Sequence, residues 1–427
     1  MKQDDAPRVL DRSEHPISRK NIESNALKVI RRLDRAGYKG YLVGGSVRDL
    51  MLGRQPKDFD AATDARPNQV KRVFRNSRII GRRFRLVHVY FHDGIIELAT
   101  FRRNPDPKEQ ASAPGELLIT SDNEFGTPRE DAFRRDFTVN ALFYDISEFS
   151  IIDYVGGIDD LEAGIIRTIG DPRVRFCEDP VRMMRACEMA GRLDFTIDGD
   201  SQRAIQELAG EIDKAAPARI TEEIVQLLRC GAAGPSMQWM HDLGLLRRVL
   251  PEADLMLSAR AHGAQELERL VPAIDALINR GRELSDPTLL GALLLPTVLL
   301  RRRELEAESG VRIRRRRLRQ LTEEVTKPFF SRHTVARFKA EAVGLALDTF
   351  NSLGERRWSL NERIQLARRN SFHDALGLFE IMVEATGEGG SDFEAWARVG
   401  REIPRGRSAP TRRRRPRGRR RGRGPGV

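Results

Sequence analysis

Two aspartates, Asp58 and Asp60, follow an apolar strand-like stretch at a spacing that suits metal chemistry. In an extended segment residues i and i+2 point to one face, so both carboxylates lie side by side while Phe59 points into the core. Carboxylates that close repel each other unless a cation lies between them. Magnesium prefers oxygen ligands and commonly accompanies phosphate groups, so the pair predicts a two-metal site for phosphoryl chemistry.

The segment before the aspartates predicts an anion-binding turn. The apolar run 41–43 reads as a strand that ends at Gly44-Gly45, where glycine permits a positive φ and a close approach of a ligand to the backbone. Val47, Leu50 and Met51 then recur at helical spacing. The N-terminus of this helix and the guanidinium of Arg48 would together hold a phosphate.

Taken separately, a glycine pair is usually a turn and an Asp-x-Asp pair is usually a solvated strand end. The combined pattern, GG-x-V-R-D-x-x-L-G followed by D-F-D, is more specific. It resembles the head of the nucleotidyltransferase superfamily that contains tRNA CCA-adding enzymes and bacterial poly(A) polymerases. The resemblance implies that Asp58 and Asp60 bind magnesium and that Gly44, Gly45 and Arg48 bind the triphosphate.

A second run, R-R-D-F-T-x-N-A from Arg134 to Ala141, resembles another motif of this family. By itself, Asp136 could form an ordinary ion pair and Asn140 could cap a helix. The resemblance implies instead that Asp136 lies with the paired aspartates in the active site. It also implies that Arg135 and Asn140 hold the phosphate and ribose of the nucleotide.

A third run, E-D-P-V-R from Glu178, resembles the family motif that recognises the incoming base. Asp followed by Pro is also a common helix start, and we expect both roles. The resemblance implies that Asp179 and Arg182, on one helical face, read adenine without a template and that Arg185 reaches the triphosphate. Related enzymes usually carry an arginine three residues later. Here Glu188 occupies that position, which predicts either a rearranged salt bridge with Arg185 or weaker phosphate binding.

The run I-I-G-R-R-F-R-L-V-H-V, residues 79–89, predicts a strand followed by a hairpin turn and a return strand over 95–101. Arg82 and Arg83 could be a solvated edge. The run resembles the signature that separates bacterial poly(A) polymerases from CCA-adding enzymes, which favours RNA binding by both arginines. Glu97 in the return strand is either a third metal-facing carboxylate or the partner of an arginine.

Charge is unevenly distributed along the 427 residues. The net charge is +12, and the segment 401–427, with twelve arginines and one glutamate, carries +11 of it. This segment, including Arg412, Arg413, Arg414 and Arg415, predicts a disordered tail that binds RNA. Two further arginine clusters within 301–319 form either a basic face or a solvated face paired with Glu304 and Glu306. Three cysteines without metal-ligand spacing, no apolar leader and no membrane-length apolar run predict a cytoplasmic protein.

The whole pattern predicts an α+β fold. It has a disordered N-terminus (1–22), a nucleotidyltransferase head with a small mixed β-sheet (23–165), a helical neck that binds the base and RNA (166–230), a helical RNA-binding body (231–400) and the tail (401–427). The resemblance implies a template-independent poly(A) polymerase that uses Mg²⁺ and ATP and acts on single-stranded RNA 3′ ends. The alternatives are a CCA-adding enzyme and a non-catalytic RNA-binding protein with the same head. The sequence leaves open whether RNA-degradation machinery is a partner.

Overall fold

The computed structural model describes residues 6–81, 85–103, 124–259, 264–354 and 358–402. Its N-terminal part is built on an eight-stranded sheet with the order β1-β8-β7-β2-β3-β6-β5-β4. The strands are β1 (Arg8–Leu10), β2 (Gly40–Val43), β3 (Ala61–Thr63), β4 (Ser77–Ile80), β5 (Leu86–Tyr90), β6 (Ile95–Thr100), β7 (Leu142–Asp145) and β8 (Ser150–Asp153). β3 and β6 pair in parallel and the other neighbours are antiparallel, so the predicted mixed sheet is confirmed.

Helices α1 (Ser24–Arg35), α2 (Gly45–Met51) and α3 (Pro67–Val73) alternate with the first strands. Strand alternation gives the sheet two apolar faces. Phe59 and Ala61 belong to the cluster that contains the buried side of α1, whereas Ala62 belongs to a second cluster with Tyr41 and Phe143. The even-numbered residues of this segment therefore face away from α1.

The predicted disorder of residues 1–22 is wrong for the described part, residues 6–22. β1 pairs antiparallel with β8 through Arg8 and Asp153, and a 3₁₀ turn spans Arg19–Asn21. Ile17 and Ile22 are buried in the main core. Leu10, Ile17 and Ile22 are too scattered to show a period, which is why the sequence pattern did not indicate that they anchor this segment.

One helix lies between β6 and β7, and the chain after β8 is mostly helical, as predicted. The helices are Pro128–Arg134, Gly157–Ala163, Pro172–Glu178, Val181–Leu193, Gly199–Leu208, Pro217–Arg229, Ala233–Asp242, Leu246–Val249, Pro251–Ala259, Ala264–Asn279, Asp286–Ser309, Arg315–Arg332, Arg337–Leu353, Leu360–Ala367, Phe372–Thr386 and Gly390–Glu402. The 3₁₀ turns Thr138–Asn140 and Ala209–Lys214 lie among them.

The apolar pattern of residues 193–208 predicts an amphipathic helix, but the structure interrupts it. Asp194 has φ 61° and ends the preceding helix, and the Asp198 side chain caps the next one. Between them the short strand β10 (Thr196–Ile197) pairs in parallel with β9 (Ile165–Ile166), which joins the end of the head to the first neck helices.

The helical body has its own apolar interior. The apolar run 289–300 is too short to span a membrane and predicts a buried helix. Residues 289–295 of helix Asp286–Ser309 are indeed buried, and Pro296 lies inside the same helix. Among the described residues no helix is long and apolar enough to cross a membrane. Several arginines of 301–319 form ion pairs with Glu304, Glu306, Glu323 and Glu324, so the alternative of a solvated, paired face applies to them.

Candidate active site

The predicted strand, turn and helix are present at Gly44. β2 is buried along its length, and Gly44 has φ 71° and ψ −137° at the start of α2. A Cβ at this position would lie 3.3 Å from the Arg135 Nη1 atom. Gly44 is therefore required both by its backbone conformation and by the approach of an arginine.

Arg48 lies under this turn and is almost fully buried. Its Nη1 donates to Asn140 Oδ1 at 2.5 Å and its Nε donates to Asp49 Oδ1 at 2.8 Å. Burial lowers the pKa of Arg48, although Asp49 opposes the shift. The structure thus brings together Arg48 of the first motif and Asn140 of the second.

Arg135 lies on the other side of the turn. Its Nη1 donates to the Asn140 carbonyl at 3.1 Å, and its Nη2 donates to Asp131 Oδ2 at 3.0 Å. The neighbouring Arg134 lies among further guanidinium groups. Burial, and then the positive charges of Arg102, Arg135, Arg175 and Arg182, lower the pKa of Arg134 to about 9. Cations crowded in this way create a potential that favours a polyanion.

Asp58 and Asp60 lie immediately before β3 rather than within it, and the Asp60 carbonyl accepts from the Val43 N–H at 3.1 Å. Both side chains reach solvent while Phe59 is buried, as predicted. The pKa of Asp60 is raised to about 6, because neighbouring atoms reduce its hydration and because Glu97 and Asp58 are negative. A bound cation would relieve this repulsion, so the two carboxylates fit a magnesium site.

Glu97 is exposed on β6 and lies opposite His88 of β5. Its Oε1 is 3.2 Å from His88 Nε2, so its side-chain partner is a histidine and not the arginine considered above. Its effect on the pKa of Asp60 shows that it lies near the aspartate pair. Across the described residues, no group of three His, Cys, Asp or Glu side chains is close enough to hold a metal ion.

Asp136 therefore does not form a metal-sized cluster with Asp58 and Asp60. It is buried, and its Oδ2 lies 2.6 Å from Arg185 Nη2. Burial by itself would raise its pKa most strongly. The positive charges of Arg185 and Arg182, together with hydrogen bonds from the Phe137 N–H and Asn140, outweigh that effect and lower the pKa of Asp136. Arg185 thus holds a head carboxylate instead of standing free for a triphosphate.

Asp179 and Arg182 do not pair with each other. Asp179 ends helix Pro172–Glu178 and lies outside the following helix, which corrects the predicted shared helical face. Its two carboxylate oxygens accept from Arg219 at 2.6 and 2.9 Å. Arg182 is buried and donates to the Arg175 carbonyl at 2.9 Å and to Glu178 Oε2 at 3.1 Å. Each side chain is fixed by a separate partner.

Sequence reasoning missed several of these partners. Arg175 donates to the carbonyls of Arg134 and Arg135 at 2.6 and 2.7 Å, which ties the neck to the second motif. From sequence, Arg219 begins the run R-I-T-E-E (219–223) at the junction of neck and body, for which a structural role is the prediction. It lies forty positions from Asp179, so no local spacing could have linked them.

Glu188, which stands where related enzymes usually carry an arginine, forms an ion pair within its own helix. Glu188 Oε1 accepts from Arg192 Nε at 2.7 Å, four residues on. It remains one of the negative charges that raise the pKa of Arg185, after Asp136, Glu223 and Asp179. The remaining predicted RNA contacts, Arg82, Arg83, Arg412, Arg413, Arg414 and Arg415, lie outside the described residues.

Comparisons with known proteins agree with the motifs and the fold described above. Residues 40–167 match the family model of the poly A polymerase head domain, and residues 194–257 match a probable RNA and SrmB-binding site of polymerase A. Poly(A) polymerase I of Salmonella typhi is 40% identical over 309 residues, 71% of this chain and 66% of the relative. Poly(A) polymerase I of Haemophilus influenzae is 43% identical over 57% of this chain and 55% of the relative. The CCA-adding enzyme of Bacillus licheniformis is 34% identical over 57% and 60%.

The chain thus spans just under two thirds of the length of its first curated relatives. Among solved structures, the CCA-adding enzyme of Bacillus stearothermophilus in complex with CTP has a TM-score of 0.61 at 26% identity, covering 89% of this chain and 82% of that one. The CCA-adding enzyme of Thermotoga maritima complexed with tRNA shares the fold at 19% identity, with a TM-score of 0.53 over 92% and 86%. By its motifs, its fold and these relatives, the head of this chain, residues 40–167, belongs to the poly A polymerase head-domain family.

Proposed function

We propose that this protein is a poly(A) polymerase that transfers AMP from ATP to RNA 3′ ends without a template and releases pyrophosphate. The observation that carries the proposal is the carboxylate pair Asp58 and Asp60, which lies beside a cradle of arginines at the Gly44 turn. Identity to poly(A) polymerases over 57–71% of the chain supports the choice of ATP and RNA as substrates. We place this activity in the cytoplasm.

Asp58 and Asp60 would hold two Mg²⁺ ions, and the raised pKa of Asp60 fits a site whose repulsion a cation relieves. Bound there, magnesium would make the RNA 3′-hydroxyl more acidic and stabilise charge on the α-phosphate as pyrophosphate leaves. Asp136, fixed by Arg185, would orient the ribose end of the nucleotide. Its lowered pKa keeps its carboxylate ionised and able to accept a hydrogen bond from a ribose hydroxyl.

The arginines around Gly44 would hold the triphosphate. Arg135 and the cluster around Arg134 supply positive charge on one side, and Arg48, held by Asn140, supplies it below the turn. Such preorganised donors stabilise a transferring phosphoryl group without having to reorganise. Asp179 would accept from the adenine amine while Arg219 fixes its carboxylate, and Arg182 would donate to a ring nitrogen.

A CCA-adding enzyme is the second candidate, because the CCA-adding enzyme of Bacillus stearothermophilus shares this fold at 26% identity. The CCA-adding enzymes that are similar to this chain are 34–38% identical to it, whereas the poly(A) polymerases are 40–43% identical. A non-catalytic RNA-binding protein with the same head is the third candidate. The intact pair Asp58 and Asp60 opposes it.

A primer and nucleotide comparison tests the proposal. The purified protein receives magnesium and labelled ATP or labelled CTP, with either a generic single-stranded RNA or a tRNA that lacks its terminal CCA. We expect long A-tracts on the generic RNA and little use of CTP. A short C, C, A addition confined to tRNA would establish the CCA-adding alternative. No incorporation on either primer, in a folded protein, would leave only the binding role.

A further inference from the structure

A basic pocket lies on the outer side of α1, away from the aspartate pair. Lys28, Arg31, Arg32 and Arg35 project around a cavity of about 630 Å³ whose other walls are Phe74, Asn76 and Phe91. Positions i, i+3, i+4 and i+7 lie on one face of a helix, so these four cations share a single stripe. The opposite stripe of α1, which includes Val29, Ile30 and Leu33, is buried in the core.

The positive charges of the arginines in this stripe are not neutralised by ion pairs among the described residues. In the described part of the chain, Arg31, Arg32 and Arg35 have no carboxylate partner, whereas many other arginines form ion pairs. Among the described residues, Lys28 donates to the amide oxygen of Asn25, at 3.1 Å, and, after the hydrogen bond from Asn25, its charge also helps to lower the pKa of the nearby Asp93 carboxyl. Exposed cations that are close together and unneutralised raise the local concentration of anions.

Aromatic rings complete the pocket. The Arg32 guanidinium lies 5.2 Å from the centre of the buried Phe74 ring, and the Lys28 ammonium lies 5.9 Å from the centre of the half-buried Phe91 ring. Phosphate-binding cations beside an accessible ring are the combination by which proteins hold single-stranded nucleic acid, with charge on the backbone and stacking on a base. An acidic peptide would use the charges but gains nothing specific from Phe91.

The pocket is separate from the catalytic face but lies within reach of its end. Asp58 and Asp60 alternate with Phe59, which points into the cluster beneath α1, so the carboxylates lie on the opposite face of the sheet. β3 and β6 run in parallel, so the segment that precedes β6 lies at the same end of the sheet as Asp60. The hairpin turn there is tied to α1 by the hydrogen bond from Asn25 to Asp93, at 2.8 Å.

We infer that this stripe of α1 is a second binding site for single-stranded RNA, which holds backbone phosphates of the primer upstream of its 3′ end. The strand passes round the hairpin end of the sheet, with phosphates on Arg31, Arg32 and Arg35 and a base against Phe91. The identity of the bound strand as a primer rests on the proposed function. The binding of RNA at this pocket does not.

The variant Arg31→Gln/Arg35→Gln tests the inference. The matched control is Arg280→Gln/Arg282→Gln, which removes the same charge from exposed arginines paired with Glu384 and Glu380. The probe is an oligoadenylate of about 16 nucleotides that lacks a 3′-hydroxyl, followed by fluorescence anisotropy over a range of salt. Loss of two phosphate contacts makes the slope of log K against log salt less steep by about 1.4. The ratio of wild-type affinity to variant affinity for the oligoadenylate therefore falls about 7-fold between about 50 and 200 mM salt.

Kinetics give a second readout. With the same oligoadenylate carrying a 3′-hydroxyl, the Arg31→Gln/Arg35→Gln variant should raise the KM for RNA and leave kcat unchanged. With a tetranucleotide primer, which is too short to reach both faces of the sheet, both constants should match wild type. Phe91→Leu should weaken binding of oligoadenylate but not of inorganic polyphosphate, because only a base can stack on the ring.

Wild-type affinity and an unchanged salt slope in Arg31→Gln/Arg35→Gln would overturn the inference, and so would an equal loss in the control variant. Tighter binding of poly-glutamate than of RNA of equal charge, lost in the same variant, would assign the pocket to an acidic protein. If wild type adds no nucleotide to any primer but this variant still loses RNA affinity, the proposed function fails while the pocket remains an RNA site.

Discussion

Arg185 of the neck and Asp136 of the head form an ion pair, with 2.6 Å between Nη2 and Oδ2. Asp136 is buried, whereas the Arg185 side chain is partly exposed. The pair joins helix Val181–Leu193, which also carries Arg182, to the head segment 134–141. Together with the hydrogen bonds from Arg175 to the carbonyls of residues 134 and 135, it fixes the neck residues proposed to bind the base relative to the head residues proposed to bind the phosphate and ribose.

Arg185→Gln should destabilise the protein by about 2 kcal/mol, less than for a fully buried pair because the arginine is partly exposed. The pKa of Asp136 is lowered in the folded state, so its contribution is complete above the unfolded value of about 3.9 and is lost as the pH falls through the folded value. Urea unfolding at neutral pH and near pH 3 measures this difference. Arg203→Gln, which breaks an exposed pair, should change the unfolding free energy little, and equal losses in both variants would contradict the linking role of Arg185.

Asp60→Asn should stabilise the protein at alkaline pH. The folded-state pKa of about 6 exceeds the unfolded value, so the ionised carboxylate costs stability above pH 6 and the cost disappears as the pH falls toward the unfolded value. After allowance for solvent screening, we expect a gain of about 1 kcal/mol at alkaline pH and none in acid. Thermal melting of wild type, Asp60→Asn and the exposed control Asp213→Asn measures it.

Bound magnesium should offset the electrostatic cost of the ionised Asp60. Added Mg²⁺ should raise the melting temperature of wild type at alkaline pH, because a cation between the carboxylates removes the repulsion. The rise should be smaller in Asp60→Asn and unchanged in Asp213→Asn. An identical magnesium response in all three proteins would mean that the ion binds elsewhere.

Gly44→Ala should reduce both stability and activity. An alanine at φ 71° costs about 1–2 kcal/mol, and its Cβ would press on Arg135. Gly53→Ala is the matched control, because Gly53 has φ 67° but a Cβ there meets nothing within 4 Å. Both variants should melt earlier, but only Gly44→Ala should raise the KM for ATP. An unchanged KM would remove Arg135 from the triphosphate site.

Arg219→Gln should reduce the preference for ATP over CTP, because it removes the side chain that fixes Asp179. The two hydrogen bonds from Arg219 fix the carboxylate that would accept from the adenine amine. We expect the ratio of kcat/KM for ATP to that for CTP to fall about 10-fold in Arg219→Gln and in Asp179→Asn, with no further loss in the double variant. Additive losses would show that the two residues act separately.

The head could be predicted from sequence because its signals are local. A turn is specified by Gly44-Gly45, and a pair of carboxylates is specified by the spacing of Asp58 and Asp60. A buried strand face is specified by the alternation around Val87 and Val89. Each of these signals lies within a few residues. The mixed sheet and the helical continuation follow from the same periodicities and are confirmed. The 3.6-residue period of the later helices likewise depends only on near neighbours.

Long-range partners could not be predicted. The pairs Arg185–Asp136, Arg219–Asp179 and Arg175 with the carbonyls of 134–135 join residues about forty positions or more apart. Nothing in residue type distinguishes an arginine that binds phosphate from one that fixes a carboxylate. The same limitation hid the anchoring of residues 6–22, since Ile17 and Ile22 are buried only because the sheet and α1 lie against them.

Transfer of labelled AMP to a generic RNA by wild type and by Asp58→Asn/Asp60→Asn, with folding matched by circular dichroism, tests the central claim most directly. The expected result is magnesium-dependent growth of A-tracts by wild type, and a loss of at least about 10³-fold in the double variant with ATP binding retained through the arginines. AMP transfer by the double variant at near wild-type rate would contradict the assignment of Asp58 and Asp60 as the catalytic carboxylates.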